Sequence, residues 1–169
     1  YYLDESYCFM DYLKDMKESG KIKYIGFSIN DADASVLRKF LTYVGADMDF
    51  CAMQLNYLDY EFNGGKEKLQ ILQEYGIPVW ATSPLCGGRL ADLKAEDIAN
   101  MSYFREEDSA TDWAFHYLQS FPELISVIAD VASFAEIKSD IVTYSGKKTL
   151  SELEKSVLTR IAANMVTGA

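Results

Sequence analysis

Short apolar segments alternate with amphipathic ones along this chain, and that alternation restricts its fold more than any other feature. The apolar segments are typical of buried strands and cover 24–28, 50–55, 78–81 and 126–129. Each is followed by a stretch with apolar residues at helical spacing, and parallel strands joined by right-handed helical crossovers explain that order. The sequence therefore predicts an α/β fold whose strands form one parallel sheet, buried on both faces.

Capping residues indicate where several of the helices begin. The first helix is predicted over 4–19, before any strand, and Asp31 or Asp33 is expected to cap the second. A further helix is predicted to start near Ser109, and the final one covers about 151–166. The pairs that have the spacing of a capping box are Ser133 with Glu136 and Ser151 with Glu154.

Four strand–helix units can be arranged in two ways. A closed eight-stranded barrel needs about 250 residues and eight units, so the 169 residues of this chain would form half of one. A small doubly wound sheet has the same local pattern. Doubly wound nucleotide-binding folds carry G-x-G-x-x-G or a P-loop, and the sequence contains neither motif, which favours the barrel.

Charge and cysteine content argue against several classes of function. There are 26 acidic and 16 basic residues, a formal net charge of −10, and without a basic cluster this charge repels nucleic acid. No apolar run approaches the roughly 20 residues of a membrane span. Cys8, Cys51 and Cys86 are far apart and form no C-x-x-C motif, so neither a disulfide framework nor a metal site is expected. The prediction is a soluble, cytoplasmic protein with reduced thiols.

Polar side chains lie where the predicted strands end, and in parallel α/β folds that edge of the sheet carries the functional residues. Ser28 and Asn30 follow the first strand, while Gln54 and Asn56 end the second. Residues two apart on a strand share a face, so both amides could bind a carboxamide ligand at the mouth of a barrel. Alternatively, the two amides only tie neighbouring loops together, and their spacing does not separate these interpretations.

The loop after the third predicted strand combines two glycines with an arginine. Gly87 and Gly88 would let the backbone approach a phosphate while Arg89 supplies charge; a flexible turn without a ligand is the other interpretation. Cys86 has no base near it in the sequence, which argues against a nucleophile. The lone histidine, His116, lies within a helical segment, so a packing or surface role is favoured over catalysis.

Three motifs in register resemble the second half of aldo-keto reductases in order and spacing: 20–28, 54–57, and 76–80 with 84–90. The segments 47–51 and 56–60 are most similar to the branch in which a ferredoxin-like 4Fe–4S segment follows the barrel. The resemblance implies that 1–169 is the carboxyl-terminal half of a (β/α)8 TIM barrel, strands five to eight. It also implies four more units before Tyr1, the last ending in a strand with a histidine, and places any iron–sulfur cluster beyond Ala169.

The resemblance further implies a binding site for NADP or NAD. In the family, the nicotinamide carboxamide is held by residues that correspond to Ser28, Asn30 and Gln54. The loop after the family's seventh strand wraps the cofactor pyrophosphate. The corresponding residues here, with the arginine in an assisting role, are Ser83, Leu85, Gly87, Arg89 and Leu90.

Other positions depart from the family's pattern. Thr82 stands where the family often has an aromatic residue that stacks on the nicotinamide. Glu136 and Asp140 stand where amides are expected near the adenosine, and their charge would oppose a 2′-phosphate. The family's catalytic tetrad of aspartate, tyrosine, lysine and histidine lies on the first four strands, and this sequence contains none of it.

The resemblance therefore implies the NAD(P)H-binding half of an oxidoreductase. The intact protein would transfer hydride to a small-molecule carbonyl substrate, and this chain alone would be inactive because it lacks the proton donor. Two alternatives are a non-catalytic binding module and an assembly fragment, in which two half-barrels form a homodimer through their open edges.

Overall fold

The four predicted strands form a single parallel sheet, in chain order. The computed structural model describes residues 8–30 and 32–168. The strands pair in the order β1-β2-β3-β4, with consecutive strands adjacent, which confirms the parallel α/β class. Their bounds are β1 (Gly26–Ile29), β2 (Phe50–Gln54), β3 (Val79–Thr82) and β4 (Leu124–Ile128).

Helices connect and surround these strands. Their bounds are α1 (Phe9–Glu18), α2 (Ala34–Val44), α3 (Tyr57–Phe62), α4 (Gly65–Glu74), α5 (Ala95–Ser102), α6 (Ala110–Leu118), α7 (Phe134–Ser145) and α8 (Glu152–Thr167), with a 3-10 turn at Gly45–Asp47. The sequence pattern did not predict α3 and α5. Residues 4–7 of the first predicted helix and the predicted cap Asp31 lie outside the described residues. Asp33 takes the N-cap position of α2, but its side chain makes no capping bond.

One of the two predicted capping boxes is complete and the other is not. At α8 the Ser151 hydroxyl accepts from the Glu154 N–H, and the Glu154 carboxylate accepts from the Ser151 N–H, as predicted. At α7 Ser133 caps the helix, but the Glu136 carboxylate reaches past it to the N–H of Ala132, 2.8 Å away. The predicted capping box at Ser133 is therefore incomplete: Ser133 caps the helix, but Glu136 does not bond back to the Ser133 N–H.

The two faces of the sheet differ in burial, and this corrects the expectation of a sheet covered on both sides. Cys51 and Met53 of β2 point into the helical layer and are fully buried, whereas Phe50, Ala52 and Gln54 alternate with them on a half-buried face. We call the half-buried face the concave face. The largest fully buried side chains of the helical layer are Leu37, Leu41, Tyr57, Ile71, Leu72, Trp113, Leu118, Leu158 and Ile161.

Aromatic rings fill the base of the concave face. The rings of Phe50 and Trp80 stack with their centroids 4.2 Å apart. Gly26, the register partner of Phe50 on the neighbouring strand, leaves the space that the Phe50 ring occupies, because a Cβ atom there would overlap that ring. The smallest residue on β1 thus allows the aromatic pair to lie flat across three strands.

Both outer edges of the sheet expose apolar surface. In the described residues β1 pairs only with β2 and β4 only with β3. Beside β1 lies an apolar groove of about 610 Å³, lined in part by α1 and α2. Beside β4, helix α7 buries none of its residues, and Phe134 is 81% exposed. The exposed apolar residues on this side of the sheet also include Ile125, Ile128, Ile137 and Ile141.

Two further properties hold for the part of the chain that the structure describes. None of its helices is long and apolar enough to cross a membrane. No three His, Cys, Asp or Glu side chains within it come together as a possible metal site.

Candidate functional site

Two predicted site residues, Ser28 and Gln54, lie on the concave face near the carboxyl ends of β1 and β2. Thr82 lies beside them at the end of β3. Gln54 is the register partner of Thr82 on β3. Ser28 on β1 is the partner of Ala52, two residues before Gln54. Because side chains alternate along a strand, Ser28, Gln54 and Thr82 all project to the same side as Phe50. The strand register therefore supports a shared site at this edge.

A polar cleft of about 680 Å³ opens above the carboxyl ends of β1 and β2, and both Gln54 and Asn30 line it. The Lys68 side chain also lines the cleft, and its Nζ donates to the backbone carbonyl of Asn30 at 2.9 Å. Lys68 is only 7% exposed, so this bond holds the turn after β1 against helix α4. Ser28 lines the apolar groove beside β1 rather than this cleft.

The Gln54 amide is held on one side by a buried carboxylate. Its Nε2 donates to Asp59 Oδ2 at 3.0 Å, and the amide makes no other hydrogen bond within residues 8–30 and 32–168. The Gln54 Oε1 and one remaining N–H are therefore available to a ligand in the cleft.

Asn56 has the loop-tying role that one of the two interpretations gave to both amides. It is the N-cap of α3, and its Oδ1 accepts from the N–H groups of Leu58 and Asp59 at 3.0 and 2.9 Å. Its Nδ2 donates to Asp59 Oδ2 at 2.6 Å and to the Ser83 carbonyl at 3.0 Å. With 1% of its surface exposed, Asn56 ties the end of β2 to the end of β3 and has no capacity left for a ligand.

The loop after β3 is a series of tight turns whose backbone is open on one side. Ser83 and Cys86 adopt positive φ angles of 53° and 50°, and Gly87 and Gly88 follow with 67° and 90°. No atom lies within 4 Å of the position that a Cβ would occupy on either glycine. Arg89 is exposed on the same stretch. A negatively charged group can therefore approach this backbone without meeting side chains.

The two leucines of the loop anchor it. Leu90 is fully buried, and its N–H donates to the Leu85 carbonyl at 3.1 Å. Leu85 is half-buried and packs against the core. Any contribution of either residue to cofactor binding would thus come through the shape of the loop. Burial raises the pKa of the Cys86 thiol, and the Asp59 carboxylate raises it further against an opposing effect of Arg89, so the thiolate is disfavoured.

The amino-terminal turn of α7 is acidic, and its own side chains bond to its backbone N–H groups. The Glu136 carboxylate accepts the Ala132 N–H, and the Ser133 hydroxyl accepts the Glu136 N–H at 3.2 Å. Burial raises the pKa of Asp140, with Glu136 and Asp112 adding to the effect. The Glu136 carboxylate thus occupies a backbone donor at the start of α7.

His116 packs inside the protein, as the sequence indicated. The side chain is 2% exposed, its Nδ1 lies 3.2 Å from Gln119 Oε1, and its Nε2 lies 3.4 Å from Asp108 Oδ2. These contacts are on α6 and the loop before it, away from the strand ends. His116 therefore takes no part in the candidate site.

Sequence reasoning missed most residues that line the cleft, among them Asp59, Asn63 and Lys68. Asp59 follows the cap Asn56 by three positions, which is the spacing of a capping residue and its partner, so a signal for it was present. Lys68 carried no signal, because its burial depends on the packing of α4 against the turn after β1.

One family model matches most of this chain. A model of the aldo/keto reductase family matches residues 5–145. No curated protein sequence matches significantly.

Solved structures share the fold. An aldo-keto reductase from Klebsiella pneumoniae in complex with NADPH has a TM-score of 0.72 at 20% identity, with 91% of this chain and 53% of that chain covered. The holo form of an aldo-keto reductase from Bacillus halodurans has a TM-score of 0.70 at 17% identity, covering 90% and 55%. The aldose reductase from Schistosoma japonicum has a TM-score of 0.66 at 19% identity, covering 90% and 46%.

This chain therefore spans about half the length of the solved structures that it matches. At these identities the structural likeness establishes the fold alone. The family match covers well over half of the 169 residues. The chain belongs to the aldo/keto reductase family.

Proposed function

We propose that this chain is the carboxyl-terminal, cofactor-binding half of an aldo-keto reductase barrel, with β1 to β4 as strands five to eight. The observation that carries the proposal is the Gln54 amide, which lies at the carboxyl edge of the sheet, lines the cleft and keeps its Oε1 free. Carboxamides pair well with such a group because an amide both donates and accepts. The Klebsiella relative in complex with NADPH supports a nicotinamide dinucleotide as the ligand.

The chemistry of the edge fits such a cofactor. Ser28 offers an exposed hydroxyl on the concave face, and Gln54 offers an amide two register positions further along. The open backbone at Gly87 and Gly88 suits a pyrophosphate, and the exposed Arg89 adds a charge-assisted donor. The proposed carboxamide-binding residues are Ser28, Asn30 and Gln54, and the proposed pyrophosphate loop comprises Ser83, Leu85, Gly87, Arg89 and Leu90.

In the intact protein the bound cofactor would supply hydride to a small-molecule carbonyl substrate. The residues of this chain would bind and orient the dinucleotide, and a proton donor outside the chain would complete the reaction, so the chain alone is proposed to be inactive. The acidic turn at α7 is proposed to weaken binding of a 2′-phosphate, so that the affinity for NADP relative to NAD is lower than a basic turn would give. The cytoplasmic location and the likeness to the iron–sulfur branch stay predictions.

Replacing Gln54 by Ala in the full-length protein should raise the dissociation constant of the dinucleotide, because the carboxamide then lacks a buried hydrogen-bond partner. The expected loss is about 1 to 3 kcal/mol, the usual effect of leaving such a group unpaired. Fluorescence titration with NADH and with NADPH measures it. Gln70→Ala, an exposed amide on α4, is the matched control. Unchanged affinity in Gln54→Ala would remove Gln54 from the site.

A second candidate function is a non-catalytic module with the same fold. Two observations favour it: Thr82, not an aromatic residue, is the register partner of Gln54, and Glu136 occupies a backbone donor at the start of α7. Absence of nicotinamide binding in the full-length protein at millimolar NAD(P)H would select this alternative over the oxidoreductase.

A further inference from the structure

Asp59 is a buried carboxylate that accepts hydrogen bonds from three side-chain amides. It is 4% exposed, and its Oδ2 accepts from Gln54 Nε2 at 3.0 Å and from Asn56 Nδ2 at 2.6 Å. Its Oδ1 accepts from Asn63 Nδ2 at 2.7 Å. No Lys or Arg nitrogen within the described ranges comes within ion-pair distance of it. The carboxylate is therefore committed to holding amides in place.

The orientation of this network follows from the backbone. Asn56 Oδ1 accepts two backbone N–H groups, from Leu58 and Asp59, so the Asn56 NH2 must face the other way. That NH2 donates to Asp59 Oδ2, which makes this oxygen an acceptor. An acceptor oxygen can receive only the NH2 side of the Gln54 amide. A primary amide can otherwise be turned by 180° with little change in shape, so Asp59 decides which end of Gln54 remains free.

We propose that Asp59 is a positioning residue that presents Gln54 Oε1 to the cofactor as a hydrogen-bond acceptor. The site then selects a ring substituent that carries an NH2 group, as a carboxamide does, over one that carries only a carbonyl. This inference rests on the proposed function, since it names the group of the cofactor to which Gln54 would hydrogen-bond. Through Asn56, whose Nδ2 also donates to the Ser83 carbonyl, the same network connects Gln54 to the start of the proposed pyrophosphate loop.

The test compares two ligands in the full-length protein. NADH or NADPH carries the carboxamide, and the 3-acetylpyridine analogue of the same dinucleotide keeps the carbonyl but lacks the NH2. The quantity measured is the ratio of their dissociation constants by isothermal titration calorimetry. We expect the wild-type protein to prefer the carboxamide by about 3- to 10-fold, the equivalent of one hydrogen bond.

Asp59→Leu should reduce that ratio to near one, because a leucine side chain accepts no hydrogen bond and no longer fixes the orientation of the Gln54 amide. Asp59→Ala, which also lacks an acceptor, is the second variant in case the first does not fold. Gln70→Ala, which removes an exposed amide on α4, is the matched control and should keep the wild-type ratio.

The outcomes separate this inference from the proposed function. If the wild-type protein binds neither dinucleotide, the proposed function fails and the inference fails with it. If it binds both ligands equally, or if the folded Asp59 variants keep the wild-type preference, the positioning role of Asp59 is overturned while dinucleotide binding stands. A loss of preference confined to the Asp59 variants supports the inference.

Discussion

Replacing Arg105 by Met is expected to lower the free energy of unfolding by about 3 kcal/mol, because it leaves a buried carboxylate without its ion-pair partner. The Arg105 guanidinium donates through Nε and Nη2 to the Glu154 carboxylate and through Nη2 to the Thr149 carbonyl at 2.9 Å. The Arg105 and Glu154 side chains are 21% and 11% exposed. The pair joins the segment between α5 and α6 to the start of α8, and chemical denaturation measures its loss.

The control is Arg38→Met, which breaks an ion pair of similar length on the surface. Arg38 and Glu74 are 2.7 Å apart, with side chains 50% and 44% exposed, so solvent already screens their attraction. We expect the stability of that variant to stay close to the wild-type value. Equal losses in both variants would show that burial adds nothing to the Arg105 pair.

The same pair predicts a dependence of stability on pH. The hydrogen bond from Arg105 lowers the pKa of Glu154 from its ordinary 4.5 to about 2, with smaller contributions from Ser151. A carboxyl whose pKa is lower in the folded state stabilises the fold above its unfolded pKa, and that contribution is lost as the pH falls through the folded value. The difference in the free energy of unfolding between the wild-type protein and Arg105→Met should therefore shrink as the pH falls from about 4.5 to 2. A difference in stability that stays constant across that pH range would contradict the role of Glu154.

When produced by itself, this polypeptide is expected to associate into dimers or aggregates. β1 and β4 have unpaired outer edges among the described residues, and apolar side chains of β4 and α7 lie exposed next to one of them. Such edges pair readily with other chains. The net charge of −10 opposes this only weakly, because the Debye length is about 8 Å at physiological salt.

Size-exclusion chromatography with light scattering decides this prediction. Phe134→Lys with Ile141→Lys on α7 should shift the protein toward the monomer, since both side chains are exposed at 81% and 59%. Leu153→Lys on α8, with 63% exposure but away from the β4 edge, is the control. A wild-type species of monomer mass at micromolar concentration that unfolds sharply would contradict the expectation.

The strands could be predicted to within two residues because each is a short apolar run between polar segments. Helix α3 could not be predicted, since it has only six residues, Tyr57–Phe62. Its N-cap, Asn56, also fits a ligand-binding role. Helix α5 lies in a polar connection and contributes one buried apolar residue, Met101, too few for a helical period to show. Short helices of this kind depend on tertiary packing more than on pattern.

The candidate site was predictable only in part, for a related reason. Strand alternation alone places Ser28 and Gln54 on one face. The roles of Asn56 and Asp59 depend on α3 turning back immediately after β2, so that residues five apart come within hydrogen-bond distance. Glu136 shows the same limit: its spacing to Ser133 fits a capping box, yet its carboxylate reaches the N–H one residue earlier.

The two tryptophans differ in burial, and Trp80, which stacks on Phe50, lies on the concave face. Trp113 is fully buried, and its indole N–H has no hydrogen-bond partner among the described residues, whereas Trp80 is half-buried on the concave face. Burial shields Trp113 from solvent, so we expect changes in polarity or quencher access at the concave face to act mainly on Trp80. Steady-state fluorescence should thus follow the covering of that face by any other polypeptide without a label, and a Trp80→Phe variant gives the contribution of Trp113 alone.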